Sequence, residues 1–462
     1  MTDLDERLRH ELRVHAEAAH PSADLPSALG AAVGRRQRRR TRLVAATAVV
    51  LVAALVGAAL LIRAGDEDST RVVTSPNPPA GTPGAWTPMP DGPLSSRTDA
   101  LAFTVGDEVL VFGGGPRCPS NARCGPQSWS GLTDGAAYKP STGEWRRIAD
   151  MPRPLDRASG TVVGDQLYLW GQLACPPRAN CPSTYLNTFT SYDAGDDTWT
   201  DRVLPDGVLR TDEPPGLAAD GAGILAFNPA GSVANPDVFD AAAATSMPDF
   251  VFDPATDSWN TIPVDPLRPS ADRAVVPHDG DLYLFSQSAR PEDRAPGAIV
   301  AAYEAAVLRS GSDSWEPLPD SGVFGAKGFG WHLVGDDIVT PAPPLPADAP
   351  NGPTDDISWV SEGAILDTRS DTWVGLPQPQ TGYPGLLGSA RLGTVAGDRL
   401  ILALGFVFNL ATDTWTPLPA LPAAVADDGV ASAWIGDQLI VWGGADRAGT
   451  ESSAGAIWTA PS

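Results

Sequence analysis

Between residues 100 and 445, short apolar runs come in pairs separated by a small polar step. One pair joins Thr161-Val162-Val163 to Gln166-Leu167-Tyr168-Leu169-Trp170-Gly171 through Gly164-Asp165. Another joins Ala433-Trp434-Ile435 to Gln438-Leu439-Ile440-Val441-Trp442-Gly443-Gly444 through Gly436-Asp437. β-Branched and aromatic residues on both sides of Gly-Asp predict a tight hairpin, since glycine supplies the positive φ such a turn needs. The pattern recurs over Phe103 to Gly115, Val275 to Ser286, His332 to Pro341 and Leu392 to Gly405, with a worn copy over Leu217 to Asn228.

Each pair is followed by a second unit, in which a polar turn leads into a tryptophan and then proline. Examples are Asp253-Pro254-Ala255-Thr256-Asp257-Ser258-Trp259 and Asn409-Leu410-Ala411-Thr412-Asp413-Thr414-Trp415. Asp, Asn, Ser and Thr close such turns by bonding their own backbone. Proline in the exits Trp86-Thr87-Pro88 and Trp415-Thr416-Pro417 suits a strand at a sheet edge. The tryptophans are Trp86, Trp145, Trp199, Trp259, Trp315, Trp373 and Trp415, spaced 59, 54, 60, 56, 58 and 42 residues apart. Such a period fits a four-stranded propeller blade, and each tryptophan is expected to pack its own blade.

With Gly113-Gly114 and Gly443-Gly444 after second strands, Tyr138 and Tyr192 in third strands and the seven tryptophans in fourth, residues 84 to 462 resemble the kelch-repeat family. The diglycine is reduced to Gly171 and Gly405 in two repeats and lost in three. The resemblance implies an all-β, kelch-type β-propeller related to the galactose oxidase-like propellers. After Trp415 come one hairpin and a third strand, Gly455 to Ser462, whose missing fourth strand is available as Ala85-Trp86-Thr87-Pro88. The expectation is a seven-bladed propeller over 85–462 closed by its N- and C-terminal strands, with six blades and an unpaired tail as the other reading.

Residues 43 to 62 carry no charge over a length of about 30 Å as a helix, the thickness of a hydrocarbon core. Arg35, Arg36, Arg38, Arg39, Arg40 and Arg42 precede this run, and Asp66, Glu67 and Asp68 follow it. The positive-inside rule then divides the chain into a cytoplasmic segment 1–42, a single transmembrane helix 43–62, a Pro-rich linker 63–84 and an extracytoplasmic propeller 85–462. The expected localisation is the cell membrane; a cleaved signal peptide is the rival reading. Within the first segment, Leu4, Leu8 and Leu12 share one face of a short amphipathic helix.

Charge follows the same division: residues 1–63 sum to +4 and residues 64–462 to -28. So acidic a domain excludes nucleic acid as a partner. Scarce lysine beside abundant alanine and arginine matches the bias of GC-rich bacterial coding. Cys118 and Cys124 stand in one loop motif and Cys175 and Cys181 in an equivalent one, so a disulfide within each loop is expected. Pairing between the loops and a four-thiolate metal site remain open.

Catalytic chemistry is sparse. No Gly-x-Ser-x-Gly, His-Glu-x-x-His or phosphate loop is present, and no plausible His, Tyr and Cys set for a copper oxidase exists. No metal or other cofactor is expected. Arg157, Arg273 and Arg391 lie 13 or 14 residues before the end of a second strand, where they would meet at a central funnel and grip a carboxylate or sulfate. Lys327, His332 and Asp99 would add polarity there, and Trp331 would either stack on a sugar or simply fill the core. The opposing reading is that each arginine bonds carbonyls between blades. Two functions follow: a surface-anchored module binding a protein or glycan, or a carbohydrate epimerase or lyase working at the funnel. The lack of a catalytic set favours the first.

Overall fold

The computed structural model describes residues 84–116, 131–173, 185–206, 208, 210–211, 214–221, 223–227, 248–267, 270–288, 301–321, 324–325, 330–340, 363–377, 393–397, 399–402, 405–426, 428–446 and 449–461. These residues form strands and turns, without a helix, arranged as antiparallel sheets of four or five strands.

Sheet 1 runs Leu101–Val105, Glu108–Phe112, Gly135–Lys139 and Glu144–Ile148. Sheet 2 runs Leu155–Val163, Gln166–Leu173, Tyr185–Asp193 and Thr198–Arg202, with Arg210–Thr211 added beside its third strand. Sheet 3 is Gly216–Asp220, Gly223–Phe227, Phe250–Asp253 and Ser258–Thr261. Sheet 4 is Ser270–His278, Asp281–Ser288, Ala301–Leu308 and Glu316–Pro317, again with a short addition, Phe324–Gly325. Sheet 5 comprises His332–Val334, Asp337–Thr340, Ala364–Asp367 and Thr372–Gly375; sheet 6 comprises Gly393–Ala396, Arg399–Leu402, Phe406–Asn409 and Thr414–Pro417. Sheet 7 takes Asp428–Ile435, Gln438–Ala445 and Gly455–Thr459 from the C-terminal part and Trp86–Pro88 as its fourth strand.

Local chemistry explains the turns. Gly106, Gly164, Gly335, Gly397 and Gly436 all hold positive φ at the first hairpin of their sheets, while sheet 4 uses Asp279 and Gly280. At the second turn, Asp197, Asp257, Asp371 and Asp413 stand two residues before their tryptophans with φ between 51° and 55°. Gly143 fills that position in sheet 1, which shows that the left-handed backbone and not the carboxylate is the common requirement. The diglycine has a packing cause as well: a Cβ on Gly114 would lie 2.7 Å from the backbone nitrogen of Ala100.

The core is divided among the gaps between sheets. Leu110, Phe112 and Ile148 of sheet 1 meet Leu167, Leu169 and Tyr192 of sheet 2, and comparable clusters fill the gaps 2 to 3, 3 to 4, 4 to 5, 5 to 6 and 6 to 7. A further cluster joins Ala431, Ile440 and Trp442 of sheet 7 to Val109, Ala136 and Tyr138 of sheet 1. The first strands pack successively on one another, and the first strand of sheet 7 touches that of sheet 1. The arrangement is that of a β-propeller.

The tryptophans do not simply pack their own sheets as expected. Each lies in the gap toward the preceding sheet and donates its indole N–H to the backbone carbonyl four residues beyond the preceding tryptophan. Thus Trp145 bonds Pro90, Trp199 bonds Ala149, Trp259 bonds Val203 and Trp315 bonds Pro263. Trp373 bonds Pro319, Trp415 bonds Pro377, and Trp86 bonds Pro419 at 2.8 Å. Buried apolar area holds the sheets together, and these bonds fix their relative height.

One expectation is corrected here. No helix among the described residues is long and apolar enough to cross a membrane, so the single-pass, cell-membrane placement with an extracytoplasmic propeller is withdrawn. Residues 43–62, on which it rested, lie outside the described residues.

Candidate functional site

In a four-stranded meander, the turns from strand 1 to 2 and from 3 to 4 fall at one end of the sheet. The connections from 2 to 3 and from one sheet to the next fall at the other. The first end carries the tight Gly-Asp and Asp-x-Trp turns. The second receives the long connections, residues 113–134, 174–184, 228–249, 289–300 and 341–363. Loops raised on a rigid scaffold are where recognition residues concentrate.

Toward this second end of the sheets lie two buried arginines. Arg273, in the first strand of sheet 4 at a bulge between Ala271 and Ala274, has a side chain with no solvent exposure. Its guanidinium donates to Asp249 at 2.6 Å, to Asp265 at 2.7 Å and to the Ser270 hydroxyl at 2.9 Å, and its charge lies 6.0 Å from the Phe227 ring centre. Asp249 leads into the third strand of sheet 3 and Asp265 lies in the link between the sheets, so the group pins sheet 4 to sheet 3. Burial opposes its charge, but the two carboxylates outweigh this and raise its pKa.

Arg97, before the first strand of sheet 1, repeats this solution with different partners. Wholly buried, it forms a two-pronged pair with Asp134 at 2.7 and 3.0 Å and reaches the Gly113 carbonyl and the Ser95 hydroxyl. The hydrogen bonds from Arg97, against some desolvation, hold the Asp134 carboxyl below the usual carboxylate range. The Arg97 carbonyl in turn accepts from Gly444 N at 2.9 Å, and Asp99 N donates to Gly429 at 2.8 Å, which ties sheet 1 to sheet 7. Arg97 was legible in the sequence as an arginine 16 residues before Gly113, but the count of 13 or 14 that selects Arg157, Arg273 and Arg391 passes over it.

The proposed funnel residues fare unevenly. Arg273 has its guanidinium committed to two carboxylates and a hydroxyl inside the protein, rather than to the carbonyls between blades of the opposing reading. Trp331 is likewise no open stacking surface. Its ring lies on Phe285 with centroids 4.0 Å apart and planes 13° apart, and meets Tyr303 and Trp373 edge-on in the gap between sheets 4 and 5. His332 opens the first strand of sheet 5 opposite Val339, where a Cβ on Gly330 would come within 3.1 Å of its Nε2. Asp99 holds φ 56° at the junction of sheets 1 and 7. Arg157 sits in the first strand of sheet 2 opposite Gln172, with its side chain outside the described residues. Arg391, Lys327 and all four cysteines also lie outside them. Among the described residues no three His, Cys, Asp or Glu side chains are placed to hold a metal ion.

The other end of the sheets is acidic. Asp107, Asp165, Asp279, Asp336 and Asp437 mark its first hairpins; Lys139 pairs with Asp107, Arg146 with Glu108 and Arg369 with Asp367 within their sheets, and Arg202 of sheet 2 pairs with Asp257 of sheet 3. Burial raises the carboxyl of Asp220, at the end of the first strand of sheet 3.

No family model matches the chain. Over 132 residues it is 30% identical to the Kelch-like protein terF of Aspergillus terreus, a match covering 27% of this chain and 26% of that protein. The chain therefore aligns with well under two thirds of the curated relative's length. Among solved structures it is similar to that described as the structure of YjhT, at 13% identity and a TM-score of 0.40, over 80% of this chain and 96% of the other.

Proposed function

We propose that the chain is a seven-bladed kelch-type β-propeller that serves as a binding module for a protein partner, with the connections after the second strands as the contact surface. The observation that carries this reading is the asymmetry of the two ends: tight turns at one, every long connection at the other. Seven sheets and a core cluster in each gap between them support the blade count. The similarity to a Kelch-like protein agrees with a role in protein recognition.

The competing reading, a sugar epimerase or lyase at the funnel, depended on arginines free to grip an anion. Arg273 is spent on Asp249 and Asp265, and Arg97 on Asp134, so these two buried cations brace the scaffold. Binding then falls to the loops, whose sequences differ from blade to blade, apart from the paired cysteine motif of the first two, while the turns at the opposite end repeat.

A photocrosslinking amino acid placed singly at Ser120, Asn180 or Ala234, and for comparison at Asp107, Asp165 or Asp437, tests the assignment. The expected result is a protein adduct, identified by mass spectrometry, from the loop positions and none from the turn positions. Adducts confined to the Asp positions would reverse the assignment of the binding end.

A further inference from the structure

Sheet 7 contains a seat for an extended peptide. Its occupant, residues 84–89, pairs antiparallel with the third strand through Trp86 and Trp458, Thr87 and Ile457, and Pro88 and Ala456. Gly84 N donates to the Thr459 carbonyl at 2.8 Å and Met89 N to the Gly455 carbonyl at 2.9 Å, one at each end of the strand. The Trp86 indole enters the gap between sheets 6 and 7 among Leu418, Leu421, Val425 and Trp434, and bonds the Pro419 carbonyl. Met89 is buried over Gly455, where a Cβ would come within 2.5 Å of its sulfur. Pro88 faces solvent, where a missing N–H leaves nothing unpaired. The seat therefore reads a short motif: tryptophan, a small residue, proline, methionine.

This arm differs from the other six fourth strands in one respect. They are joined to their sheets by turns of a few residues from the third strand. Residues 84–89 reach sheet 7 from the far end of the sequence, and the chain continuing from them belongs to sheet 1. Pro90, Asp91, Gly92 and Pro93 lie between the arm and buried Leu94, with Asp91 exposed and the Pro90 and Pro93 carbonyls accepting from Trp145 and Arg147 of sheet 1. A Pro- and Gly-containing hinge beside a short, detachable strand is the arrangement from which identical elements exchange between protomers, since every bond broken within one chain is remade in another.

We propose that residues 84–89 exchange between copies, the arm of one chain occupying the sheet 7 seat of a second. The balance between closed monomer and exchanged dimer is set by protein concentration against the effective concentration of the tethered arm. Exchange leaves both propellers complete and joins two loop faces in one assembly. It rests on the strand pairing alone and does not depend on the binding function proposed above.

Two full-length chains, each with one added cysteine, test it: Thr87→Cys in one and Ile457→Cys in the other, the two positions being register partners. The chains are mixed at high concentration, incubated, oxidised and run without reducing agent, with wild-type chains setting the background from Cys118, Cys124, Cys175 and Cys181. The double variant Thr87→Cys/Ile457→Cys, kept dilute, reports whether the positions can bond within one chain. The proposal expects a mixed covalent dimer several-fold above background, increasing with protein concentration. No mixed dimer above background while the dilute double variant closes its internal bond would overturn it. Failure of the double variant to close would overturn it too, because the seat would then not hold the arm in this register.

Discussion

Tyr138 and Tyr192 occupy the same place in their repeats, each opposite a tryptophan, yet their hydroxyls meet different fates. Tyr192 donates to Asp197 at 2.6 Å, the left-handed residue two before Trp199, and Asp197 also accepts from Ala149 N at 2.8 Å. In sheet 1 that position is Gly143, and the buried Tyr138 hydroxyl has no partner among the described residues. Burial pushes its pKa up to about 12. The neighbouring blade offers a matching economy: Ala149 has an N–H to satisfy, whereas its equivalent, Pro90, has none. Tyr138→Phe is therefore expected to stabilise the protein by about 1 kcal/mol and Tyr192→Phe to destabilise it by a similar amount, read from urea midpoints. At Asp134, the carboxyl is depressed by Arg97, so its contribution is full above the unfolded value of about 3.9 and lost as pH falls through the lower folded value. Asp134→Asn should flatten the acid limb of stability against pH, and an unchanged limb would show that the pair contributes nothing. The sequence displayed the repeat positions of both tyrosines but not which hydroxyl is satisfied, because that depends on a residue five places away adopting a left-handed turn.

At the scale of the element, the blade's outer strand does more than complete a sheet. Its tryptophan reaches the exit of the preceding strand, so neighbouring blades are locked by one directional bond as well as by packing. Trp259→Phe keeps most of the apolar volume and removes that bond; a loss of about 1 kcal/mol is expected, with faster amide exchange in sheets 2 and 3. Gly114→Ala places a Cβ against Ala100 at a positive φ and should cost at least about 2 kcal/mol, measured by thermal unfolding. The hairpins, the polar turns and the outer position of the tryptophan strands were legible from periodicity and turn chemistry. The tryptophan's partner was not, since a side chain that packs its own sheet and one that bridges to the next give the same spacing. For the same reason Arg273 and Trp331 looked like rim residues: sequence gives the height of a residue in a blade, but not which way a long side chain turns.

At the largest scale, the described residues form seven sheets, and the last of them meets the first. The junction of sheets 7 and 1 combines the Trp86 bond to Pro419, the pairing of residues 86–88 with 456–458, and the backbone bonds of Arg97 and Asp99 to Gly444 and Gly429. Arg97→Met should weaken this junction by removing the two-pronged partner of Asp134 and leaving it only the more distant, exposed Arg147. The long connections, where the proposed partner would bind, were the least legible part of the chain, because apart from the cysteine motif shared by two of them they carry no repeat against which to read them. The claim on which the account rests is that residues 84–89 belong to sheet 7. Hydrogen exchange at the Met89 amide measures it most directly: paired with Gly455, it should be protected to the same degree as Ile440 and Val441 in the same sheet. Exchange at the rate of an unstructured peptide, with Ile440 and Val441 still protected, would contradict the closure.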